Sequence, residues 1–598
     1  MSTPVGHAHQ FLKLTQAPDH SCVELICKRG IDVLNDSALN KGTGFSLAER
    51  ERLGLRGLLP PRVLSVDTQI ARELEDYNTG KDFLNPKGGS EVTHDMTRKW
   101  KVMQGLQDRN ESLFYRILLE NFAEMASIVY DPTVGWACLN FHKLYRSPRG
   151  MYFSSEDAGQ MASMVYNWPA EVVTAIVVTD GSRILGLGDL GINGLGISIG
   201  KLDLYVAAAG FEASQTLPCV LDMGTNNMGL RKDPTYMGLD QDRIDGDKFY
   251  EWLQLVDEFV AAVLGRWPKA VLQFEDFNQQ HARPLLDRYR DNYLVFNDDI
   301  QGTATVTLAG VYGAMTVQGK EWKEISQQKV LMVGAGSAGT GIAAMLNQAM
   351  QKHGLSKEDA VSKVWLTDQD GLITSKRKGM TQVVKGFARQ GGDEPEGEKL
   401  LESVKRIKPT VIVGVAAAGP LFTEELLKAM GEQCDRPIIF ALSNPDEKME
   451  CTAEDAQKHT DGKAIFASGV GQPDVKHGSG TIASRQANNM LIYPGLALGA
   501  HLGHTGVVSD RMLVAAAEAL PPLVPKEDLQ RGAVYPTLDN IRGVSKAVAK
   551  AVMLCAKQDG HMHNDSAQKA VSKGDAVFDA WVDVQMSKPG YTTAAYAP

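Results

Sequence analysis

Two pairs of adjacent carboxylates stand where apolar runs end in the middle of the chain: Glu275 with Asp276, and Asp298 with Asp299. Such β-branched and aromatic runs predict short buried strands, and open α/β sheets bind ligands at the carboxyl ends of their strands. Glu275, Asp276 and Asp299 would suffice to hold Mg²⁺ or Mn²⁺, because these cations prefer oxygen ligands. Paired acids after a strand also act as helix N-caps or solvated turn residues, so either pair alone leaves both interpretations open.

A glycine-rich turn follows the apolar run at 330–333 and precedes small and apolar residues. Strand, glycine turn and helix in this order predict a dinucleotide site with the pyrophosphate at the helix N-terminus. Asp368 ends the next apolar run and is placed to meet an adenosine ribose, although its distance from the turn exceeds the usual spacing of about 20 residues. The residues of the turn predicted to bind the cofactor are Gly334, Ala335, Gly336, Ser337, Ala338 and Gly339.

A second Gly-x-Gly-x-x-Gly pattern lies at 186–191, after a β-rich run. Glycines at 194, 196 and 200 follow it, and each costs about 1 kcal/mol relative to alanine in a helix interior. We therefore expect them to interrupt the helix that a pyrophosphate would need. This segment is interpreted as a place where the backbone passes close to a ligand, and not as a dinucleotide site.

Strand-like runs alternate with helical segments through much of the chain, which predicts a parallel, doubly wound sheet of the α/β class. The expected organisation is a mostly helical N-terminal domain, a second α/β domain for substrate and metal, a Rossmann-like NAD(P)-binding domain, and a C-terminal helix with a loose tail. Their predicted bounds are 1–148, then 149–297 with 490–560, then 298–489, and 561–598.

Length and composition limit the classes of function. The 598 residues allow about two to four domains, and a net charge of −10 argues against nucleic acid or an anionic membrane as a partner. No apolar run approaches the roughly 18 residues of a spanning helix. Seven cysteines without a Cys-x-x-Cys pair fit a reducing compartment. The cytoplasm is the expected location, with an organellar signal left open.

Eight short motifs occur in a fixed order along the chain. They are Tyr130-Asp-Pro-Thr-Val-Gly, Thr179-Asp-Gly-Ser-Arg, Gly200-Lys-Leu, Phe274-Glu-Asp-Phe, Phe296-Asn-Asp-Asp-Ile-Gln-Gly-Thr, Gly334-Ala-Gly, Ser443-Asn-Pro and Asn488-Asn. Together they resemble the malic enzyme family from about residue 44 to about residue 560. The resemblance implies oxidative decarboxylation of (S)-malate to pyruvate and CO₂, reduction of NADP or NAD, a requirement for Mg²⁺ or Mn²⁺, and a homo-tetramer built from dimers, or a homodimer.

The resemblance also implies roles for the matched residues. Lys201 would take the proton from the C2 hydroxyl, and Tyr130 would protonate the enolate at C3. Asp298 is the third residue expected to act in catalysis; as a nearby carboxylate it would raise the pKa of Lys201, whereas burial would lower it. Glu275, Asp276 and Asp299 match the metal ligands. The residues expected to bind substrate or the nicotinamide ribose are Arg183, Asn444, Asn488 and Asn489.

The sequence contains residues that favour NAD and other residues that favour NADP. Asp368 would accept a ribose 2′-hydroxyl and favours NAD, whereas the lysines that follow could neutralise a 2′-phosphate. Because Lys385 lies close to where NADP-preferring members carry a lysine, we expect NADP. Asn278-Gln279 departs from the family pattern, so that cofactor contact is not carried over, and extra residues around Asn85 prevent carrying over fumarate activation.

Two alternatives stay open at this point. A malolactic-type enzyme would use the same residues, retain the reduced cofactor and release lactate. A non-catalytic dinucleotide-binding regulator would keep the fold and bind the cofactor without turnover, although the joint presence of Tyr130, Lys201 and all three carboxylates disfavours it.

Overall fold

A computed structural model describes residues 13–14, 23–79, 92–390 and 394–596, so the extra residues around Asn85 lie outside the described residues. The chain divides into two compact units, residues 1–272 with 584–598, and residues 273–583. The four-part division expected from the sequence stays a prediction. In the described residues, no helix is long and apolar enough to cross a membrane.

The strands are short, as the predicted runs are. In chain order they are β1 Lys13–Leu14, β2 Val23–Ile26, β3 Met151–Ser154, β4 Ala175–Thr179, β5 Thr216–Asp222, β6 Val271–Phe274, β7 Val295–Asn297, β8 Val330–Val333, β9 Val364–Asp368, β10 Gly371–Leu372, β11 Val411–Gly414, β12 Ile438–Ala441, β13 Ile465–Ser468, β14 Val475–His477, β15 Gly480–Ile482, β16 Arg485–Gln486 and β17 Thr593–Tyr596.

The helices range from single turns to five turns. They are α1 Ile31–Leu34, α2 Leu47–Arg52, α3 Val66–Thr79, α4 His94–Arg109, α5 Glu111–Glu120, α6 Phe122–Val129, α7 Thr133–Leu139, α8 Phe141–Leu144, α9 Met161–Met164, α10 Leu195–Ala209, α11 Met228–Arg231, α12 Phe249–Arg266, α13 Gln279–Tyr289, α14 Thr303–Val317, α15 Ser337–Lys352, α16 Lys357–Ser362, α17 Gln382–Phe387, α18 Leu400–Ile407, α19 Glu424–Gln433, α20 Ala453–His459, α21 Tyr493–Gly503, α22 Asp510–Glu518, α23 Lys526–Gln530, α24 Ile541–Gln558, α25 Asp565–Ser572 and α26 Asp575–Gln585.

The helical start of the first unit is confirmed through α2 to α8, and the Ser46–Glu49 capping box is present at α2. Further along, β3 and β4 both pair with β5 in parallel, and α10 packs against β4 and β5. These elements place α10, which carries Lys201, over a buried sheet.

The expected interruption of this helix is wrong, because α10 runs through Gly196 and Gly200 without a break. Tertiary packing outweighs helix propensity there. A Cβ at residue 196 would lie 2.8 Å from the Cys138 sulfur, and one at residue 200 would lie 3.2 Å from the Val129 carbonyl oxygen. The glycines therefore allow neighbouring elements to approach a buried helix closely.

The C-terminal tail expected to be loose instead forms β17. This strand pairs with β2 in parallel, and β1 pairs with β2 in antiparallel. The Ala594 amide donates to the buried Glu49 carboxylate at 3.0 Å, and Lys41 donates to the same carboxylate at 2.5 Å. Ala594 lies 545 residues from Glu49 in sequence, so no local pattern could indicate this contact.

The second unit contains the doubly wound sheet predicted from the sequence. Its order is β10-β9-β8-β11-β12-β13-β16. From β9 to β16 the neighbours pair in parallel, and β10 is antiparallel to β9. The direction of winding reverses between β8 and β11, and such switch points form the ligand crevice of this fold.

Candidate active site

Three carboxylates converge in the second unit, as the sequence predicts. Glu275, Asp276 and Asp299 each offer one oxygen, and these oxygens lie within 4.8 Å of one another. Glu275 is 2% exposed and Asp276 is 6% exposed. Three carboxylates that lie close together and are largely buried repel one another, and a bound divalent cation would offset this repulsion. The all-oxygen donor set fits Mg²⁺ or Mn²⁺.

Local backbone geometry brings these acids together. Asp276 has a φ of 53°, a left-handed conformation that is costly for a non-glycine residue and is common at functional sites. Its amide donates to the Asp299 carboxylate at 2.8 Å. Asp298 and Asp299 begin a π-helical turn that ends at Gly302, and a Cβ at Gly302 would lie 1.7 Å from an Asp298 carboxylate oxygen. Gly302 is therefore required for this turn.

Asp298 is fully buried and is held by Asn489, another predicted site residue. The Asn489 side-chain amide donates to the Asp298 carboxylate at 3.1 Å and to its carbonyl oxygen at 3.3 Å. Asn488 is engaged differently, because its side chain accepts from the Met490 amide at 3.0 Å and caps a short helical turn. The structure thus joins Asn489 to the Asp298 turn and gives Asn488 a local structural role.

The glycine turn at 334–339 connects β8 to α15, as predicted. Gly334 has a φ of 117°, and a Cβ at Gly339 would lie 1.9 Å from the Gly334 carbonyl oxygen. No side chain caps α15, so its first amides remain available to a pyrophosphate. A Cβ at Gly336 would lie 3.1 Å from the Gln279 side chain, which places the residue that departs from the family pattern beside the turn.

Glu450 is a residue that the sequence reasoning missed. It is fully buried, and it accepts hydrogen bonds from the Ser443 hydroxyl, from the Ser443 amide at 3.2 Å and from the Ala416 amide at 3.2 Å. Burial raises its pKa, although these hydrogen bonds oppose the rise. Glu450 therefore ties the loop after β11 to the loop after β12, where Asn444 is exposed.

Asp368 is at the end of β9, where the ribose of a bound dinucleotide would lie. Its carboxylate accepts from the Asp370 amide at 2.9 Å and from Arg377 at 2.5 Å. Lys385, the other residue weighed for cofactor choice, is exposed on α17. Arg377 was not singled out by the sequence, because it stood in a run of basic residues typical of a solvated surface.

In the first unit, Lys201 and Tyr130 lie beside each other. Lys201 is 2% exposed on α10, and Tyr130, at the C-terminal end of α6, is 6% exposed. The Lys201 Nζ lies 5.3 Å from the centre of the Tyr130 ring, within the range of a cation–π interaction. The predicted base and the predicted acid therefore meet.

The loop from 180 to 191 carries Arg183, whose side chain is exposed. Buried Arg243 fixes this loop by donating to the Asp189 carboxylate at 2.6 Å and to the Asp180 carbonyl oxygen at 3.0 Å. Burial opposes the charge on Arg243, but Asp180 and Asp189 outweigh it and raise the Arg243 pKa. Arg243 lies more than fifty residues from its partners, so the sequence pattern gave no sign of it.

Each unit thus gathers part of the predicted set. Lys201 and Tyr130 meet in the first unit, and Arg183 lies on a separate loop of that unit. The acids, the glycine turn, Asp368 and the three asparagines belong to the second unit. The influence of Asp298 on Lys201 concerns residues of different units and stays a prediction.

A switch-point sheet with this glycine turn defines the class of dinucleotide-binding α/β proteins. Comparison with known families agrees. Residues 300–557 match the model described as "Malic enzyme, NAD binding domain", and residues 107–290 match "Malic enzyme, N-terminal domain". The chain therefore belongs to the malic enzyme family, as the motifs indicated.

Individual relatives agree with this assignment. The chain is 46% identical to "NAD-dependent malic enzyme 2, mitochondrial" of Arabidopsis thaliana over 92% of its own length and 90% of that protein. It is 43% identical to "NADP-dependent malic enzyme" of Dictyostelium discoideum over 88% and 94% of the two chains. The solved structure of Entamoeba histolytica malic enzyme covers 91% of this chain and 96% of its own, with a TM-score of 0.51 at 20% identity, which shows the fold.

Proposed function

We propose that this protein oxidises and decarboxylates (S)-malate to pyruvate and CO₂ while reducing NAD or NADP, with Mg²⁺ or Mn²⁺ required. The observation that carries the proposal is the convergence of Glu275, Asp276 and Asp299 within 4.8 Å, in a chain 46% identical to a protein named malic enzyme. These three residues would hold the cation, which supplies Lewis acidity when bound.

The protein's own side chains account for the two proton movements. Lys201 takes the proton of the C2 hydroxyl as hydride leaves C2, and Tyr130 returns a proton to C3 after CO₂ has left. Their proximity, 5.3 Å from Nζ to ring centre, supports action on adjacent carbons of one substrate. Arg183 offers a guanidinium for a malate carboxylate, and Asn444 and Asn489 offer amides.

For the cofactor we propose NAD, with NADP kept as the alternative. The sequence favoured NADP on account of lysines such as Lys385, and that preference stays a prediction. Lys385 is exposed, whereas the cation bound to Asp368 is Arg377, which is already engaged. Relatives of 43–46% identity named NAD-dependent also support NAD.

Location and assembly are proposed on the same basis. Relatives that carry "mitochondrial" or "hydrogenosomal" in their names support an organellar location in place of the expected cytoplasmic one, which cell fractionation would test. A homo-tetramer or homodimer is proposed from family likeness, and light scattering after size-exclusion chromatography would distinguish them from a monomer.

Product analysis tests the proposed reaction. With malate, Mn²⁺ and NAD⁺, we expect pyruvate, CO₂ and reduced dinucleotide in equal amounts. Lactate without net reduction would favour the malolactic alternative. Dinucleotide binding without any product would favour a regulator.

A further inference from the structure

We propose that Glu396 sets the dinucleotide preference by holding Arg377 against Asp368, so that the ribose of NAD is accepted and the 2′-phosphate of NADP is refused. The inference rests on the proposed dinucleotide-dependent activity. It assigns a specificity-determining role to a residue that lies 28 positions beyond the end of β9.

Four of the five N–H groups of the Arg377 guanidinium donate within the chain. Its Nη1 donates to the Asp368 carboxylate at 2.5 Å, its Nε donates to the Glu396 carboxylate, and its Nη2 donates to the Leu372 carbonyl oxygen at 3.3 Å. The side chain is 15% exposed. Nη2 also donates to the Asp370 carbonyl oxygen at 3.5 Å, which leaves one N–H group, whereas arginine grips a phosphate with two parallel N–H groups.

Glu396 is itself fixed in place. Its second carboxylate oxygen accepts from the Thr374 amide at 2.8 Å and from the Thr374 hydroxyl at 2.7 Å. Burial alone would raise the pKa of Glu396, but the hydrogen bonds from Thr374 and Arg377 outweigh it and lower the pKa. Glu396 is therefore ionised at neutral pH, and it fixes Thr374, which lies two residues before the basic residues at 376–378.

The charges of the three groups favour NAD. Ionised Asp368 and Glu396 with Arg377 leave one net negative charge, and a 2′-phosphate brings nearly two more. In this fold an acid at the end of the second strand accepts a 2′-hydroxyl, or a nearby arginine accommodates a 2′-phosphate. Asp368 and Arg377 are both present here, so Glu396, which holds Arg377, decides which dinucleotide is preferred. Asp368 keeps lone pairs for the 2′-hydroxyl, because a carboxylate has about four acceptor positions.

The test measures NADH and NADPH binding by fluorescence titration of the protein without malate or metal, beside specificity constants for NAD⁺ and NADP⁺. The quantity compared is the ratio of the affinity for NADPH to the affinity for NADH. In E396Q we expect this ratio to rise by about tenfold or more, the usual effect of releasing one charge-assisted hydrogen bond. E394Q is the matched control. Glu394 lies in the same segment but pairs with Arg406 at 2.6 Å and Arg389 at 3.5 Å, so its ratio should not move.

The double variant E396Q/R377Q tests whether Glu396 acts through Arg377, and we expect it to lose the gain in NADPH affinity. An unchanged ratio in folded E396Q, or a gain that persists in the double variant, would overturn the proposal. If E396Q does not fold, T374V decides, because it removes the hydroxyl that fixes Glu396 at 2.7 Å; the ratio should then move toward NADPH, and an unchanged ratio in folded T374V would overturn the proposal. Binding ratios that behave as expected without malate turnover would refute the proposed reaction but not this inference.

Discussion

Asp203→Asn should stabilise the protein at neutral pH. Asp203 lies on α10, two residues beyond Lys201, and is 3% exposed. One of its oxygens accepts from Gln107 at 2.6 Å and from the Tyr115 hydroxyl at 2.9 Å, while the other is buried without a hydrogen-bond partner. An asparagine side chain keeps the acceptor for both donors and removes a charge that burial penalises.

The magnitude follows from the proton affinity of the group. Burial, opposed by Arg149, Gln107 and Tyr115, raises the Asp203 pKa from an ordinary 3.8 to about 6. The folded protein holds this proton more tightly than the unfolded chain, so Asp203 costs stability as pH rises from near 3.8 to about 6. Above about pH 6 the cost to the free energy of unfolding reaches an upper bound of about 3 kcal/mol. About half of this cost is already present at pH 5.

Urea unfolding followed by tryptophan fluorescence at pH 5 and pH 8 would measure this gain. Asp76→Asn, on the exposed side of α3, is the matched control and should change stability little at either pH. A gain in Asp203→Asn that did not grow between pH 5 and pH 8 would refute burial of charge as its cause. A net loss of stability at pH 8 would show that the carboxylate is satisfied in a way the geometry does not indicate.

Three further predictions concern the Lys201–Tyr130 pair, the carboxylate cluster and Glu450. Lys201→Ala and Tyr130→Phe should each lower kcat by about 10²- to 10⁴-fold with an unchanged circular dichroism spectrum, and near-normal rates would remove that residue from the mechanism. Asp299→Asn should weaken Mn²⁺ binding measured by calorimetry, because it removes one of three charged ligands, and an unchanged affinity would argue against the cluster as the metal site. Glu450→Ala should lower the free energy of unfolding by about 2–4 kcal/mol, since it leaves buried donors without an acceptor, and should raise KM for the dinucleotide; a KM change without a stability change would contradict the tie between the two loops.

The sheet and the dinucleotide turn could be predicted because their signals are local. Short β-branched runs, glycines at fixed offsets and a following helix specify β8, the turn and α15 within some twenty residues. The metal acids could be predicted for a related reason. They lie one or two residues beyond the ends of β6 and β7, which are neighbours in one sheet, and ligands of α/β sheets bind at the carboxyl ends of strands.

The errors arose where tertiary contacts outweighed local preference. Helix propensity argued against a helix through Gly196 and Gly200, yet both glycines lie where α10 meets other elements closely. A polar, small-residue tail argued for a loose end, yet Ala594 completes a buried contact with Glu49. Helix propensity describes a segment in isolation and takes no account of the elements that pack against it in the fold.

The residues that were missed support the site from a distance. Glu450, Arg243 and Glu396 each bind atoms of a loop that another part of the sequence supplies. Nothing in the residues beside them marks this role, because a buried ion pair or hydrogen bond is a property of the folded arrangement. A single sequence therefore indicates the reacting groups more readily than the groups that hold them.

The most direct test of the proposed activity is the absorbance at 340 nm of the folded protein with malate and Mn²⁺, with NAD⁺ and NADP⁺ in parallel and an EDTA control. We expect the absorbance to rise only when the metal is present. The specificity constant should be larger for NAD⁺ than for NADP⁺. A flat trace with both dinucleotides, from folded and metal-loaded protein, would contradict the proposed reaction.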